Sequence, residues 1–418
     1  MSKIWLVILL FFGSVAGAAA QESTADSLRD HLYGGRLAEG LDAMEARPDG
    51  DAEASFGIAI LTLFSGIEDL VQPLYAHGFD PERGVAVSPF FGVLGAEGGQ
   101  RTPEPLTYDA LRGYLAAFSD DLDVAIPLLL AAAEGDFSVE IDVTQIRIDI
   151  DGDGEAGEAE SVGAFLAMAA GTGQRLDMGS GMAPDLGLPA TTFAFDGSDA
   201  IWLAGYSQVL ATQSDFLLAH DFEDFFNAAM HRLFPGAGLP METHPNSGQL
   251  FMDRDSDALL ADAIAMIHTI NWPIVDRERL IGARDRVLSV LDLSRRNWNS
   301  ILAETDDHLE FIPSPYQTPL APQMAVTKEM VGAWRETLDV SEAILRGELL
   351  LPHWRYGDLG FDLAAWFEGA ERTDAVLLFT GLDALPYLKV GEIADAESFG
   401  AANGVFGGSI WNYAAWFN

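Results

Sequence analysis

The spacing of apolar residues along the chain predicts a mainly helical protein. From Ser23 to Gly78, leucines and alanines recur at intervals of three and four residues, as they do in amphipathic helices. The same spacing predicts further helices at Thr107 to Glu134, Asp199 to Ala219, Phe222 to Leu233, Ser256 to Ile270, Asp276 to Ala303 and Thr327 to Arg346. The expected fold class is therefore mainly α, with one or more multi-helix domains.

Two segments depart from the helical period. Between Val139 and Ile150, apolar and polar residues alternate, which predicts one or two short strands. A small extended element is also expected from Ala375 to Phe379. A long loop rich in Gly, Met and Pro, residues 171–197, separates a helical region at 21–170 from a C-terminal helical domain at 198–418.

The first twenty residues resemble a secretory signal peptide. Lys3 precedes an apolar run from Ile4 to Ala16, and three alanines at 18–20 fit a cleavage site. The run has about 13 residues, whereas a membrane-spanning helix needs roughly 20. The alternative interpretation of this segment is an uncleaved N-terminal membrane anchor. No later apolar run is expected to reach spanning length, so the predicted location is periplasmic or secreted.

Composition narrows the classes of partner. Without its first twenty residues the chain has 64 acidic and 22 basic residues, a formal charge of −42. Such a surface repels nucleic acid, whose binding requires Lys and Arg. An anionic membrane is disfavoured for the same reason. The chain has no cysteine, which excludes disulfides, thiol nucleophiles and zinc–thiolate sites.

The strongest chemical signal is an acidic loop at residues 149–160, with the sequence DIDGDGEAGEAE. It satisfies the pattern D-x-[DN]-x-[DN]-G-x5-E completely. Calcium is a hard cation that binds six to eight oxygen atoms, and carboxylates at this spacing can supply them from one turn of chain. The alternative is a solvated acidic turn between a strand and a helix.

This loop resembles the calcium loop of the EF-hand family. The resemblance implies that Asp149, Asp151 and Asp153 supply side-chain oxygens, that Glu155 supplies its backbone carbonyl, and that Glu160 binds with both carboxylate oxygens. The resemblance covers only the twelve residues of the loop. An EF-hand has a helix on each side, whereas a strand is expected before this loop, and the chain has no second complete calcium loop. One structural Ca²⁺ ion of extracellular affinity, about 10⁻⁴ to 10⁻³ M, is expected.

A second resemblance concerns the N-terminal hairpin. The segment Gly35 to Leu41, with Pro48 and the run from Asp51 to Ala54, is similar to a tetratricopeptide repeat. The match covers at most about fifty residues, and no second copy follows at the repeat period of about 34. One helical hairpin within a larger domain is therefore expected.

Catalytic signatures are weak in this sequence, and no residue is assigned a catalytic or organic-cofactor role. It has no nucleophile elbow, phosphate loop or intact dinucleotide motif. His220 and His231, with acids between them, and the His353 to Arg355 segment are expected to be packed rather than metal-binding. The favoured function is a calcium-binding, non-enzymatic scaffold for a protein or peptide partner. The alternative is a calcium-stabilised hydrolase with paired carboxylates, which requires a pocket containing a carboxylate of raised pKa.

Overall fold

The computed structural model of the chain describes residues 22–80, 102–164, 191–244, 246–320, 325–408 and 410–417. Within these ranges the fold is mainly α, with only small sheets. The helices are α1 (Thr24–Gly34), α2 (Leu37–Glu45), α3 (Ala52–Ala76), α4 (Tyr108–Ala132), α5 (Gly197–Leu218), α6 (Glu223–Ala229), α7 (Arg254–Thr269), α8 (Arg277–Ile301), α9 (Lys328–Leu345), α10 (Leu363–Gly369), α11 (Ala375–Thr380), α12 (Ala396–Val405) and α13 (Ile410–Phe417). The predicted fold class is confirmed.

Within the described ranges the strands form three small antiparallel sheets. They are β1 (Val139–Asp142), β2 (Thr192–Phe195), β3 (Asn271–Pro273), β4 (Leu351–His353), β5 (Tyr356–Phe361), β6 (Arg372–Asp374) and β7 (Leu388–Lys389). β1 pairs with β2, β3 with β6, and β5 lies between β4 and β7. Of the predicted extended stretch from Val139 to Ile150, only β1 forms a regular strand, because the Asp142 side chain accepts a hydrogen bond from the N–H of Thr144 and begins a 3-10 turn at Val143–Gln145. β2 lies within residues 171–197, which the sequence predicted to be a loop.

Polar caps explain why the long helices begin where they do. The side chains of Thr107, Asp276 and Thr327 each accept a hydrogen bond from the backbone N–H three residues later. Such a cap satisfies an N–H that the helix itself leaves without a partner. The predicted helix boundaries in these regions therefore agree with the structure to within one or two residues.

α3 lies at the centre of the N-terminal half and packs against α2 and α4. Contrary to the expectation that no later segment reaches spanning length, α3 is long and apolar enough to cross a membrane by length and composition. More than half of its most apolar stretch is buried inside the protein. Phe56, Leu61 and Leu70 are among its fully buried side chains. The apolar composition of α3 thus matches its position in a protein core.

Two apolar cores are present in the described residues. The first contains residues from Leu28 to Leu239 together with Leu293 of α8. The second contains Ala219 and residues from Leu280 to Phe417. α5 packs against both α4 and α8, so it connects the two cores. Most of the predicted interdomain loop lies outside the described residues.

Two predicted elements are corrected by the structure. The segment from Ala375 is helical rather than extended, because the Asp374 side chain accepts a hydrogen bond from the N–H of Leu377 and begins α11. The strand at this place is β6, which ends at Asp374. The predicted helix from Phe222 to Leu233 is shorter, since α6 passes into a 3-10 turn at Met230.

Aromatic side chains near the C-terminus pack into the second core. Phe406 and Phe417 lie in the second core, and the indole N–H of Trp298 donates to the backbone carbonyl of Phe417 over 2.9 Å. The side chain of Trp411 lies outside the described residues. These contacts fix the last helix against α8.

Candidate metal site

Backbone hydrogen bonds join the segments that precede and follow the acidic loop at 149–160. The N–H of Val162 donates to the carbonyl of Ile146 over 2.9 Å, and the N–H of Ile148 donates to the carbonyl of Glu160 over 3.3 Å. Arg147 and Ser161 form an isolated antiparallel bridge between these bonds. The segments that enter and leave the loop therefore lie side by side, unlike the two flanking helices of an EF-hand.

The structure brings three of the five predicted ligand residues together. Carboxylate oxygens of Asp149, Asp151 and Asp153 lie within 4.8 Å of one another. Oxygens bound to one Ca²⁺ ion at 2.3–2.6 Å can be separated by at most about 5 Å. The spacing of the three aspartates therefore fits a common cation.

Hydrogen bonds within the loop set this geometry. Asp149 Oδ1 accepts from the N–H of Gly152 over 2.8 Å, and its Oδ2 accepts from the N–H of Gly154 over 2.9 Å. Gly152 and Gly154 have φ values of 74° and 91°, which residues with a Cβ rarely adopt. Because the chain turns sharply at these glycines, the carboxylates of Asp151 and Asp153 come close to that of Asp149.

Glu160 occupies a different position from the three aspartates. Its Oε1 accepts from the N–H groups of Ile150 and Asp151, and its Oε2 accepts from the N–H of Gly157 over 2.6 Å. Its carboxylate therefore closes the loop through the backbone and lies outside the aspartate cluster. The side chain of Glu155 also lies outside this cluster, as expected for a residue whose implied ligand is its carbonyl.

Two side chains of α3 hydrogen-bond the backbone of Asp149, the first residue of the loop. Glu68 Oε2 accepts from the N–H of Asp149 over 2.8 Å, and Gln72 Nε2 donates to the carbonyl of Asp149 over 2.9 Å. Burial raises the pKa of Glu68, and the charges of Asp149, Asp69 and Glu160 raise it further. The loop is thus anchored to a core helix and adds negative charge to that surface.

The N-terminal hairpin contacts the other side of the loop. Gly35 ends α1 with a φ of 61°, and a Cβ added there would lie 2.1 Å from Cβ of Ala156. In addition, the N–H of Arg147 donates to the carbonyl of Leu32 over 3.0 Å. Gly35, the first residue of the repeat-like segment, therefore makes room for the acidic loop.

The carboxylates of the acidic loop repel one another only moderately. At 4–5 Å two carboxylates in water repel each other by about 1 kcal/mol. The hydrogen bonds from backbone N–H groups to Asp149, Asp151, Asp153 and Glu160 offset part of this cost. The loop can consequently keep its shape without an ion, and a bound dication would remove the remaining repulsion.

The histidines singled out in the sequence lie at separate places. His220 is fully buried, and its two ring nitrogens contact the carbonyl of Phe216 and the hydroxyl of Thr373. His231 Nε2 lies 3.0 Å from Asp262 Oδ2. Each histidine is therefore packed in its own polar contact, and together they form no site. Near His353, the guanidinium of Arg355 stacks over the ring of Trp354, which is 65% exposed.

A buried group of acids lies at the start of α5, and no local pattern in the sequence indicates it. Asp199 is buried, and both burial and the charges of Asp196, Glu304 and Glu310 raise its pKa well above the usual range. Gln317 donates to Glu304 over 3.0 Å, and burial also raises the pKa of Glu304. Burial raises the pKa of Glu310 to about 7. Neutral carboxyl groups are thus favoured in this part of the core.

We expect this acid group to make the protein less stable as pH rises. The folded-state pKa of Glu310 lies above its usual value of 4.5. Its neutral form therefore stabilises the fold fully at low pH, and the effect is lost as pH rises through about 7. Glu310→Gln should raise the free energy of unfolding at pH 8 by about 2 to 3 kcal/mol and have a much smaller effect at pH 4. Urea denaturation across this range measures it.

The matched control for this experiment is Glu336→Gln, which changes an exposed glutamate on α9. It should leave the pH profile of the parent unchanged. A Glu310→Gln variant with the parent's profile between pH 4 and pH 8 would contradict the assignment of a raised pKa to Glu310.

Three polar clefts, of about 550, 500 and 460 Å³, lie elsewhere on the described surface. The largest is built around Asp215, which pairs with Arg279 and Arg286. Asp199, Glu304 and Glu310, the buried acids of raised pKa, line none of these three clefts. The arrangement expected of a carboxylate hydrolase is therefore not found at these clefts.

Comparison of the chain with protein-family models, with curated proteins and with solved structures gives no match that identifies its family.

Proposed function

We propose that this chain is an exported calcium-binding helical protein whose ion has a structural role. The observation that carries the proposal is the convergence of carboxylate oxygens from Asp149, Asp151 and Asp153 within 4.8 Å. Carboxylates are ligands that calcium prefers, and an exported protein meets enough calcium for a site of about 10⁻⁴ to 10⁻³ M to be filled.

The proposed role follows from what the loop contacts. It joins the region after β1 to α3 through Glu68 and Gln72, and to α1 through the Gly35–Ala156 contact. An ion that fixes the loop would therefore stabilise the packing of these helices. We assign the rest of the protein a binding function toward a protein or peptide rather than a catalytic one, because Asp199, Glu304 and Glu310 line none of the three clefts.

The three glutamates of the loop allow a matched test. Glu155→Gln, Glu158→Gln and Glu160→Gln each remove one charge from the same twelve residues. Glu160 accepts the three backbone N–H bonds that close the loop and is the implied closing ligand, whereas Glu155 is implied to ligate through its carbonyl, so only Glu160→Gln should weaken binding strongly, by tenfold or more. The other two should stay within about threefold of the parent. Calorimetric titration of residues 21–418 with Ca²⁺ after chelator treatment measures this.

Magnesium provides a control on the nature of the ion. Mg²⁺ requires near-ideal octahedral geometry and gives up its water reluctantly, so it should bind this loop more weakly than Ca²⁺. No saturable heat up to about 10 mM Ca²⁺, or equal weakening by all three substitutions, would contradict the proposed site.

A further inference from the structure

α7 faces solvent with apolar side chains. Leu259, Leu260, Ile264 and Ile267 are 46–56% exposed, although a helix on a protein surface usually turns such residues inward. The buried residue on this helix is an acid, Asp262, which is 3% exposed. The usual arrangement of a surface helix is thus reversed in α7.

Charged groups beneath α7 explain the reversal. Asp262 Oδ2 lies 3.0 Å from His231 Nε2 and accepts a hydrogen bond from Arg232 Nε over 2.7 Å. A buried carboxylate requires such partners. The buried Asp262 therefore holds α7 against the 3-10 turn that follows α6. The apolar residues are left on the opposite, outward side.

The loop before α7 extends the apolar surface. Leu250, Phe251 and Met252 are 76%, 80% and 48% exposed. Their three backbone N–H groups donate to the carboxylate of Asp257, in the first turn of α7, over 2.6–3.2 Å. These bonds hold the loop in place, so its side chains remain in water beside those of α7. We call these seven side chains the α7 patch: Leu250, Phe251, Met252, Leu259, Leu260, Ile264 and Ile267.

The size of the α7 patch matches an interface between proteins. Its side chains together expose on the order of 800 Å², which is close to the area that each partner buries in a standard stable interface. Monomeric soluble proteins rarely expose apolar patches of more than a few hundred Å². A surface of this area therefore indicates a partner.

From these observations we propose that the α7 patch pairs with the α7 patch of a second copy, forming a symmetric dimer with the two helices antiparallel. From residue 258 to residue 267 the exposed positions of α7 carry no charge, so the patch offers nothing to attract a basic partner or a lipid headgroup. A second copy needs only apolar complementarity. The antiparallel order places the acidic starts of the two helices, with the N-cap Asp253 and with Asp255 and Asp257 in the first turn, at opposite ends.

Net charge gives the dimer a distinctive salt dependence. Two copies that each carry −42 repel each other at long range, and salt screens this repulsion. The dissociation constant should therefore fall, by about tenfold, between 20 mM and 500 mM NaCl. Binding of a charge-complementary partner would weaken over the same range.

Sedimentation of residues 21–418 at micromolar concentration tests the proposal. The parent should sediment at about twice the monomer mass, both with calcium and with chelator, which separates this result from the calcium proposal. The double variant Leu260→Asp, Ile264→Asp should be monomeric. Val390→Asp, at a residue that is 83% exposed outside the patch, should remain dimeric. Circular dichroism checks that each variant is folded.

The absence of cysteine from the chain permits a clean cross-linking test. Leu260 lies near the middle of α7 and at the centre of its apolar face, close to the expected two-fold axis. Under mild oxidation Leu260→Cys should form a disulfide-linked dimer, whereas Val340→Cys, exposed on α9, should not. Any of three results would overturn the proposal. The parent could stay monomeric at about 100 μM in 500 mM NaCl, or the Leu260→Asp, Ile264→Asp variant could stay dimeric. The third is a monomer that binds lipid vesicles or peptides through the α7 patch.

Discussion

Replacement of Asp149 and Asp153 together by alanine should abolish the stabilisation of this protein by calcium. With a dissociation constant of about 10⁻⁴ to 10⁻³ M, 10 mM Ca²⁺ should stabilise the parent by about 1.4 to 2.7 kcal/mol. The double variant lacks two of the three carboxylates that meet within 4.8 Å, so this increment should vanish. Thermal and urea unfolding with calcium and with chelator measure the difference.

The difference between the two conditions is the informative quantity in this experiment. Asp149 also accepts hydrogen bonds from the N–H groups of Gly152 and Gly154, so its loss destabilises the loop even without calcium. Asp153→Asn is the conservative comparison, because an asparagine oxygen is a permitted ligand at this position. It should retain a reduced response to calcium. A double variant as responsive as the parent would show that the ion binds elsewhere.

A methyl group at Gly35 should destabilise the N-terminal half strongly. Gly35 has a φ of 61°, and its new Cβ would lie 2.1 Å from Cβ of Ala156. Gly35→Ala thus combines left-handed backbone strain of about 1–2 kcal/mol with overpacking of about 1–3 kcal/mol. We expect a total loss of about 2 to 5 kcal/mol in the free energy of unfolding, measured by urea denaturation. Since Ala156 belongs to the acidic loop, calcium affinity should fall as well.

Gly50 supplies the matched control for this substitution. It has a φ of 85°, but no atom lies within 4 Å of its added Cβ. Gly50→Ala should cost only the backbone strain and leave calcium affinity unchanged. Adding Ala156→Gly to Gly35→Ala should recover the steric part of the loss. Equal destabilisation by Gly35→Ala and Gly50→Ala would show that the Gly35–Ala156 contact has no energetic importance.

Local sequence features predicted much of the fold. The long helices follow from apolar spacing and from caps such as Thr107 and Asp276, which act within four residues. The cluster of Asp149, Asp151 and Asp153 also belongs to this class, because a twelve-residue loop determines its own geometry. The ion in that loop remains a prediction.

Features that depend on distant contacts were not predictable in this way. The acid group at the start of α5 joins Asp199 to Glu304 and Glu310, which lie more than 100 residues away in the chain. α7 is a second example, because apolar spacing predicts the helix but does not determine which of its faces is buried. Asp262 finds His231 and Arg232 on another element, and these contacts decide which face turns inward.

Hydrogen exchange measured by mass spectrometry tests the calcium site most directly, since it locates the effect of the ion within the intact chain. Residues 21–418 would be compared in chelator and in 10 mM Ca²⁺. We predict slower exchange in peptides that cover residues 146–162, together with those that cover Glu68 to Gln72 on α3, and little change around α9. Unchanged exchange at 146–162, or protection confined to another region, would contradict a calcium ion held by this loop.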